Sequence, residues 1–356
     1  MSRIKVSYKK HNLNFKFDAG TSRGVLKSKT TYFIQIRKDE KILGLGEAAP
    51  LYGLSIDKPE NFEEKLQVSC EKLEDLLADN AQDIDIAAII PQDFPAIRFG
   101  LEMALLDYHH GLNRIYYKSG FVTGANAIPI NGLIWMSDKT SMLGQIKSKL
   151  ESGYKCIKIK IGAINFEEEC ELLAFIRKQL GPDDITIRVD ANGAFKPEQA
   201  LEKLKILSDF NLHSIEQPIA ANNHGWMKVL CEQSPLAIAL DEELIGVFDG
   251  KKQLLLEEIN PQYIILKPSL LGGFKATDEW ISYAKSKNIG WWITSALESN
   301  IGLNAIAQYT AQLPYESFQG LGTGQLFHNN IPSPLTIEEG ELYYSPNLNW
   351  DLSLFN

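Results

Sequence analysis

The sequence predicts an α/β fold in which a TIM-type barrel of parallel strands is joined to an N-terminal α+β lobe. Two observations predict it. From about residue 128, short apolar strands alternate with helical segments, a pattern typical of βα units around a parallel sheet. Charged residues that end five of these strands recur 30, 26, 25 and 26 residues apart. This spacing is close to the roughly 30 residues that a (β/α)8 barrel uses for each unit.

Composition limits the class of protein. The chain has 356 residues, of which 44% are hydrophobic and 23% charged, and its net charge is −9. This length predicts two domains, or one large barrel with an attachment. The acidic balance argues against nucleic-acid and membrane partners, because these bind basic surfaces. We therefore expect a small-molecule substrate, and the sequence leaves open whether the chain forms a homo-oligomer.

The N-terminus, cysteines and histidines bear on location and metal type. The stretch "MSRIKVSYKK" contains no apolar signal-peptide core, and no run approaches the roughly eighteen apolar residues of a membrane helix. We therefore expect a soluble, cytoplasmic protein. The four cysteines form no CxxC pair and the six histidines are scattered, so neither disulfides nor a zinc site is expected.

The first elements form the α+β lobe. Residues 30–37 and 42–47 flank the turn-like "KDEK" and predict an antiparallel hairpin. Residues 60–80 and 94–112 carry apolar residues at helical spacing and predict two helices.

The barrel elements follow in order. The strand "YKCIKIKIGA" (154–163) precedes a helix marked by an Asn165 cap, an acidic first turn and a terminal Gly181. Helices then separate the remaining strands, one ending near residue 208 and another covering 275–287. These strands are "ITIRVDANGAF", "HSIEQPI", "LAIALDEEL", "QYIILKPSL" and "GWWITSALES", followed by the helical "NIGLNAIAQYTAQL".

Two lysines in one strand point to function. Lys158 and Lys160 alternate with isoleucines, and side chains of a strand alternate between its faces, so both amines leave one face. A parallel sheet covered by helices exposes neither face to water. We therefore expect the isoleucines to pack against the outer helices and both lysines to point into the barrel.

The charged strand ends predict a metal site. Asp190, Glu216 and Asp241 end three consecutive strands, at the end of the barrel where such folds hold their active sites. Asp190 alone could be an ordinary turn residue. Neighbouring carboxylates repel one another unless a cation neutralises them, and their hard oxygen atoms suit Mg²⁺, with Mn²⁺ as a substitute. These three residues are the predicted metal ligands.

The lysines stand on both sides of that site, Lys158 and Lys160 before it and Lys267 after it. Two ammonium groups about 6.6 Å apart repel by roughly 2.5 kcal/mol at an effective dielectric constant near 20. This repulsion favours the neutral, basic form of Lys160. Lys160 is the predicted base because it lies nearer the C-terminal end of its strand.

At these residues the chain resembles the enolase superfamily, in its muconate-lactonizing-enzyme subgroup. The resemblance rests on the ligand strands and on "GLGEAAPL" (44–51), "FGLEMALLD" (99–107) and "KIK" (158–160), and it covers nearly the whole chain. It implies a (β/α)7β barrel over residues 126–324. It also implies an α+β capping domain over residues 1–125, completed by the C-terminal segment 325–356.

Within the superfamily, four further stretches resemble the o-succinylbenzoate synthase family of menaquinone biosynthesis: "FDAGTSRGVLKSKT", "INGLIW", "WWITSALESNIGLNAIAQ" and "GLGTGQLF". This implies an Mg²⁺-dependent syn dehydration of 2-succinyl-6-hydroxy-2,4-cyclohexadiene-1-carboxylate. A lysine base and an ene-diolate held by Mg²⁺ are known chemistry of this superfamily. The resemblance gives Lys160 the proton transfers, Lys267 a cation–π contact with the intermediate, and Lys158 the orientation of the substrate carboxylate.

Other candidates have two interpretations each. Asn192 and Glu242 are either partners of the metal site and of Lys267 or plain turn residues. Ser295 and Leu297 lie where family members meet the succinyl chain, or in a strand-to-helix turn capped by the serine. Arg23 either binds a substrate carboxylate or lies in a surface loop.

Other functions are also considered. Lysines on both sides of the metal suit an N-succinylamino acid racemase or a dipeptide epimerase of the same superfamily. The stretch "FQGLGTGQLF" lacks the acidic pair with which dipeptide epimerases hold the peptide amine, which leaves N-acyl amino acids open. An inactive barrel kept as a binding or scaffold protein is expected to lose a ligand or a lysine, and all of them are present.

Overall fold

The structure is a computed structural model that describes residues 4–21, 24–79, 84–110, 113–315 and 317–355. Arg23, one of the predicted substrate contacts, lies outside the described residues. In the part that is described, no helix combines the length and the apolar character needed to cross a lipid bilayer.

An antiparallel sheet begins the chain. Its strands are β1 (Ile4–Thr21), β2 (Gly24–Lys38) and β3 (Lys41–Ala48), in that spatial order. The predicted hairpin is confirmed as β2 and β3. β1 has no counterpart among the predicted elements, because lysine and asparagine residues interrupt its apolar alternation.

Helices α1 (Phe62–Ala78) and α3 (Pro95–His109) pack against this sheet and confirm the two predicted helices, and the short α2 (Ile86–Ile89) lies between them in sequence. The contact between α3 and β3 requires a glycine. A Cβ atom at Gly46 would overlap the carbonyl oxygen of Gly100 in α3. Gly46 therefore lets the backbones of strand and helix touch.

A parallel sheet of seven strands forms the second part of the fold, with its strands side by side in chain order. After β4 (Ile128–Pro129), these strands are β5 (Gly132–Ile134), β6 (Cys156–Lys160), β7 (Thr186–Asp190), β8 (Ser214–Glu216), β9 (Ile238–Leu240), β10 (Tyr263–Leu266) and β11 (Gly290–Ile293). The helices between and after them are α4 (Lys139–Glu151), α5 (Phe166–Gln179), α6 (Pro197–Ser208), α7 (His224–Gln233), α8 (Gly250–Ile259), α9 (Pro268–Leu271), α10 (Phe274–Ser286) and α11 (Asn300–Thr310).

A short segment closes the barrel between β11 and β5. The N–H of Asn131 donates to the carbonyl oxygen of Gln319 at 3.0 Å, and the N–H of Gly320 donates to that of Ile293 at 2.8 Å. Both contacts have parallel geometry. The segment therefore takes the place of an eighth strand, and the expected (β/α)7β fold is confirmed.

The two faces of β6 are divided as predicted. Ile157 and Ile159 are at most 1% exposed and share a hydrophobic cluster with Leu172 of α5. Lys158 and Lys160 face the cavity inside the barrel. The alternation of amines and isoleucines therefore separates the reactive interior from the outer core.

Helix α5 begins and ends close to the predicted residues. The side chain of Asn165 accepts a hydrogen bond from the N–H of Glu167 at 2.9 Å, as expected for an N-cap. The helix stops at Gln179, an extended Leu180 is its C-cap, and Gly181 is the next residue. The N–H of Gly181 donates to the Asp184 carboxylate at 2.8 Å.

The C-terminal residues return to both parts of the fold. Strands β12 (Leu335–Glu338) and β13 (Glu341–Tyr344) form a hairpin that pairs with β4. Beyond it, the ring of Phe355 meets that of Phe33 in the N-terminal sheet with centroids 5.1 Å apart. The division into residues 1–125 with 325–356, and 126–324, stays a prediction.

Candidate active site

Strand register gathers the charged residues at one end of the barrel. Lys160 lies opposite Asp190, and Asp190 lies opposite Glu216 on the next strand. Asp241 comes two residues after Ala239, the partner of Glu216, and Lys267 directly follows β10. The structure therefore carries the five predicted charges on five consecutive strands, all at their C-terminal ends.

Lys158 is a buried cation between two carboxylates. Its Nζ lies 3.0 Å from Asp190 Oδ2 and 2.6 Å from Glu216 Oε2, and the residue is 7% exposed. Burial favours a lower pKa for Lys158, but the two carboxylates outweigh it and raise the pKa above its ordinary value. Lys158 is therefore a fixed positive charge in the floor of the cavity.

Lys160 shares one of these partners. Its Nζ donates to Asp190 Oδ2 at 3.1 Å and to Asn192 Oδ1 at 2.8 Å. The ammonium groups of Lys158 and Lys160 thus converge on the same carboxylate oxygen, which offsets the repulsion expected between them. Lys160 also lines the cavity, where its amine can reach a bound molecule.

Lys267 forms an ion pair with Asp241 across the site from β6. Burial favours a lower pKa for Lys267, but the carboxylates of Asp241 and Glu216 outweigh it and raise the pKa. Because Lys160 and Lys267 both line the same cavity, the structure presents two amines to it from different sides of the carboxylate row.

Asn192 and Glu242 belong to the same network. The amide nitrogen of the Asn192 side chain donates to Glu242 Oε1 at 3.2 Å, and the carboxylate of Glu242 favours the charged form of Lys267. Asn192 has a φ of 43°, a left-handed conformation that asparagine tolerates better than most residues. Asn192 thus contacts both the predicted base Lys160 and Glu242. The charge of Glu242 in turn acts on Lys267.

The donor set fits a hard divalent cation. Asp190, Glu216 and Asp241 are at most 2% exposed, and Glu216 Oε1 is buried without a hydrogen-bond partner among the described residues. Burial and the neighbouring Asp190 carboxylate raise the pKa of Glu216. Within the described residues, no group of three acidic, histidine or cysteine side chains is already arranged around a metal position. Lysine ammonium groups lie against these carboxylates. The argument for a metal ion therefore rests on the chemistry of the oxygen donors and not on their present arrangement.

The cavity above the charges has an apolar wall. Ser295 Oγ and Thr323 Oγ1 lie 2.7 Å apart in its lining, and Leu297 lines it with a φ of 65°. The apolar lining comes from both parts of the fold: Leu26, Leu51, Leu54, Leu133, Trp135, Leu297 and Leu326. The site therefore suits a small anion that carries a sizeable apolar group.

Several lining residues lie outside the predicted set. Asn131, Leu133 and Trp135 face the cavity at alternate positions of β5 and its flanks, and this period of two in "INGLIW" is a signal that could have found them. Leu51, Tyr52 and Leu54 come from the loop after β3, where no periodic pattern marks them. Their place depends on how the two parts of the fold pack together.

Comparison with known proteins identifies the family. Residues 141–347 match the family described as enolase C-terminal domain-like, and this chain belongs to that family. The o-succinylbenzoate synthase of Desulfotalea psychrophila (strain LSv54 / DSM 12343) is 48% identical to this chain and covers 96% of it, with 99% of that protein matched. The resemblance to the enolase superfamily expected from the sequence is therefore confirmed.

Solved structures agree. The crystal structure of MenC from Desulfotalea psychrophila LSv54 has a TM-score of 0.84 and 44% identity, and covers 96% of this chain and 100% of its own. The dipeptide epimerase of Enterococcus faecalis V583, solved with Mg and the dipeptide L-Leu-L-Tyr, has a TM-score of 0.80 and 18% identity, with 98% of each chain covered. The second likeness shows the fold alone.

Proposed function

We propose that this chain is an o-succinylbenzoate synthase, a lyase that removes water from 2-succinyl-6-hydroxy-2,4-cyclohexadiene-1-carboxylate. Its extensive similarity to the synthase of D. psychrophila supports this reaction. The structural observation that carries it is the pair of lysines, Lys160 and Lys267, which line one cavity on either side of a row of buried carboxylates. We further propose that it acts in the cytoplasm, on the route to menaquinone.

The carboxylates of Asp190, Glu216 and Asp241 would hold Mg²⁺. When bound, Mg²⁺ would supply positive charge to the substrate carboxylate and so favour loss of the neighbouring proton. The unpartnered oxygen of Glu216 and the oxygen-only donor set support this choice of ion.

Lys160 moves the proton. Its amine would take the proton from the ring carbon next to the carboxylate, and the electron pair of that C–H bond would become part of the ring. The same ammonium would then protonate the hydroxyl group that leaves as water, and the product would gain an aromatic ring. One residue that serves both steps from one face requires a syn elimination.

The other two lysines stay charged. Lys267 would face the ring from the opposite side, where an ammonium group stabilises a negatively charged ring by cation–π attraction. Lys158 would orient the substrate carboxylate and keep positive charge beneath it. The apolar wall with Trp135 would exclude water from the ring.

The test is formation of o-succinylbenzoate from its precursor. Wild-type protein should be active with Mg²⁺, inactive with EDTA, and active again after Mg²⁺ is returned. Lys160→Ala should lower kcat by about 10³-fold or more, since a positioned acid–base group contributes about 10²- to 10⁴-fold to each proton transfer that it serves. The matched control is Lys155→Ala, because Lys155 is an exposed residue just before the same strand.

An active Lys160→Ala enzyme with intact fold would refute the assignment of the base. Activity that persists in the presence of EDTA would refute the proposed requirement for Mg²⁺. N-succinyl amino acids in heavy water provide a further arm: deuterium exchange at the α-carbon without any dehydration of the cyclohexadiene would identify a racemase instead.

A further inference from the structure

A buried polar network joins the N-terminal sheet to the turn before α11. Glu47 on β3 lies opposite Phe33 on β2. Because alternate residues of a strand share a face, Lys29 and Thr31 lie on the same side as this pair. Lys29, Thr31 and Glu47 are all at most 5% exposed. The sheet therefore presents a lysine and a glutamate to the barrel in a place closed to water.

Lys29 binds the turn directly. Its Nζ donates to the carbonyl oxygen of Ala296 at 2.8 Å and to that of Leu297 at 2.9 Å. From the other side, the N–H of Ala296 donates to Glu298 Oε2 at 2.7 Å. Lys29 thus holds the carbonyl groups of both peptide units that flank Leu297, and Glu298 holds the peptide unit that precedes them.

Leu297 needs such support. Its φ of 65° is a left-handed conformation, which the Cβ atom of leucine disfavours. Strained residues of this kind persist where the surroundings determine them. In this conformation Leu297 packs in a cluster with Leu13, Trp135 and Phe327, and it lines the cavity.

We propose that Lys29 is a positioning residue for substrate binding, because it holds the Ala296–Leu297 turn in the conformation that directs Leu297 into the cavity. Lys29 does not line the cavity itself. It acts through the carbonyl oxygens that it binds, so it shapes the pocket for the apolar part of the substrate and takes no part in proton transfer. The inference rests on the proposed function, because its test measures KM and kcat for dehydration of the cyclohexadiene.

The prediction is a change in KM and not in kcat. Without the ammonium group the turn relaxes toward ordinary backbone angles, and substrate binding must restore it. Lys29→Met should raise KM about tenfold, equivalent to about 1.4 kcal/mol. The value of kcat should change by less than about threefold, because the interaction is equal in ground and transition states. Lys5→Met removes an exposed lysine of the same sheet and is the control.

A double-mutant cycle separates positioning from general loss of structure. Glycine adopts positive φ without strain, so Leu297→Gly removes the need to hold the turn. In that background Lys29→Met should raise KM by less than about twofold. An equal effect of Lys29→Met in both backgrounds would overturn the proposal, and so would an unchanged KM in the single variant.

Other outcomes are also decisive. Equal losses in kcat and kcat/KM, together with a lower melting temperature, would show a structural role and overturn the proposal. If Lys29→Met fails to fold, adding Leu297→Gly should restore folding. A double variant that also fails to fold would overturn the proposal. A wild-type protein that binds the cyclohexadiene without dehydrating it would refute the proposed function. The role of Lys29 would then be tested by measuring the Kd of the cyclohexadiene in place of KM.

Discussion

Glu47 caps a helix that belongs to the other part of the fold, and this allows a local prediction. Its carboxylate accepts hydrogen bonds from the N–H groups of Ser299 and Gly302, both at 2.8 Å. It also accepts from the hydroxyl groups of Thr31 at 2.7 Å and of Ser299 at 2.6 Å. The first turn of α11 thus depends on a residue more than 250 positions away. A negative charge at this end also suits the helix dipole.

The informative change is Glu47→Gln, which keeps the shape and removes the charge. One of the two side-chain oxygens becomes an NH2 group, so the N–H of Ser299 or of Gly302 loses its acceptor. An unsatisfied buried donor costs about 1–3 kcal/mol, and the remaining hydrogen bonds lose the extra strength given by the charge. We expect local opening of the first turn of α11 to become easier by about 3 kcal/mol.

Hydrogen exchange measures this opening without assuming that the whole chain unfolds in one step. A loss of about 3 kcal/mol makes the N–H groups of Ser299 and Gly302 exchange about 10²-fold faster. Peptides from β6 should keep their protection. Glu40→Gln, in the exposed turn between β2 and β3, is the matched control. If exchange at Ser299 and Gly302 stays within about threefold of the wild-type rate, α11 does not depend on Glu47 for its cap, and the reasoning is wrong.

Four further substitutions test other parts of the structure. Burial and the neighbouring Arg188 lower the pKa of His213 to about 4 from 6.5. As the pH falls, His213 is therefore protonated in the unfolded chain before it is protonated in the folded protein. Stability should fall by about 2 kcal/mol, after allowance for partial exposure, as the pH drops from about 6.5 to 4, and His213→Gln should flatten this slope in urea titrations. Gly46→Ala should destabilise the protein by more than about 3 kcal/mol in thermal melts because its Cβ overlaps backbone. Gly144→Ala, with open space around it in α4, should stabilise it by up to about 1 kcal/mol. Glu216→Gln should weaken Mg²⁺ binding at least about tenfold by calorimetry, and an unchanged affinity would remove Glu216 from the ligand set.

Much of the barrel could be predicted because its signals are local. In β6, alternation between Lys158 or Lys160 and the isoleucines gives both the strand and the direction of its side chains. The regular spacing of Asp190, Glu216 and Asp241 gives the common end of the barrel, because each strand and helix unit has a similar length. The closing segment at Gln319 has no such signal, since only two residues pair with the neighbouring strands.

Hydrogen-bond partners inside the site could not be predicted in this way. The sharing of Asp190 Oδ2 by Lys158 and Lys160 depends on side-chain angles within a crowded interior. The contact between Asn192 and Lys160 likewise depends on the left-handed backbone after β7. Spacing along the chain fixes which strand carries a charge, but it does not decide which charges touch.

Strand β2 shows where alternation gives the wrong expectation. A strand whose alternate residues are polar is normally assigned a solvated face, and Lys29, Thr31 and Gln35 fit that description. All three are nevertheless buried, because the sheet has helices on one face and the barrel on the other. Each of them has a hydrogen-bond partner: Lys29 binds the carbonyl groups of the turn at Leu297, Thr31 donates to Glu47, and Gln35 accepts from Arg37. Their burial therefore has a single origin, the contact between the sheet and the barrel, and alternation within one strand does not reveal that contact.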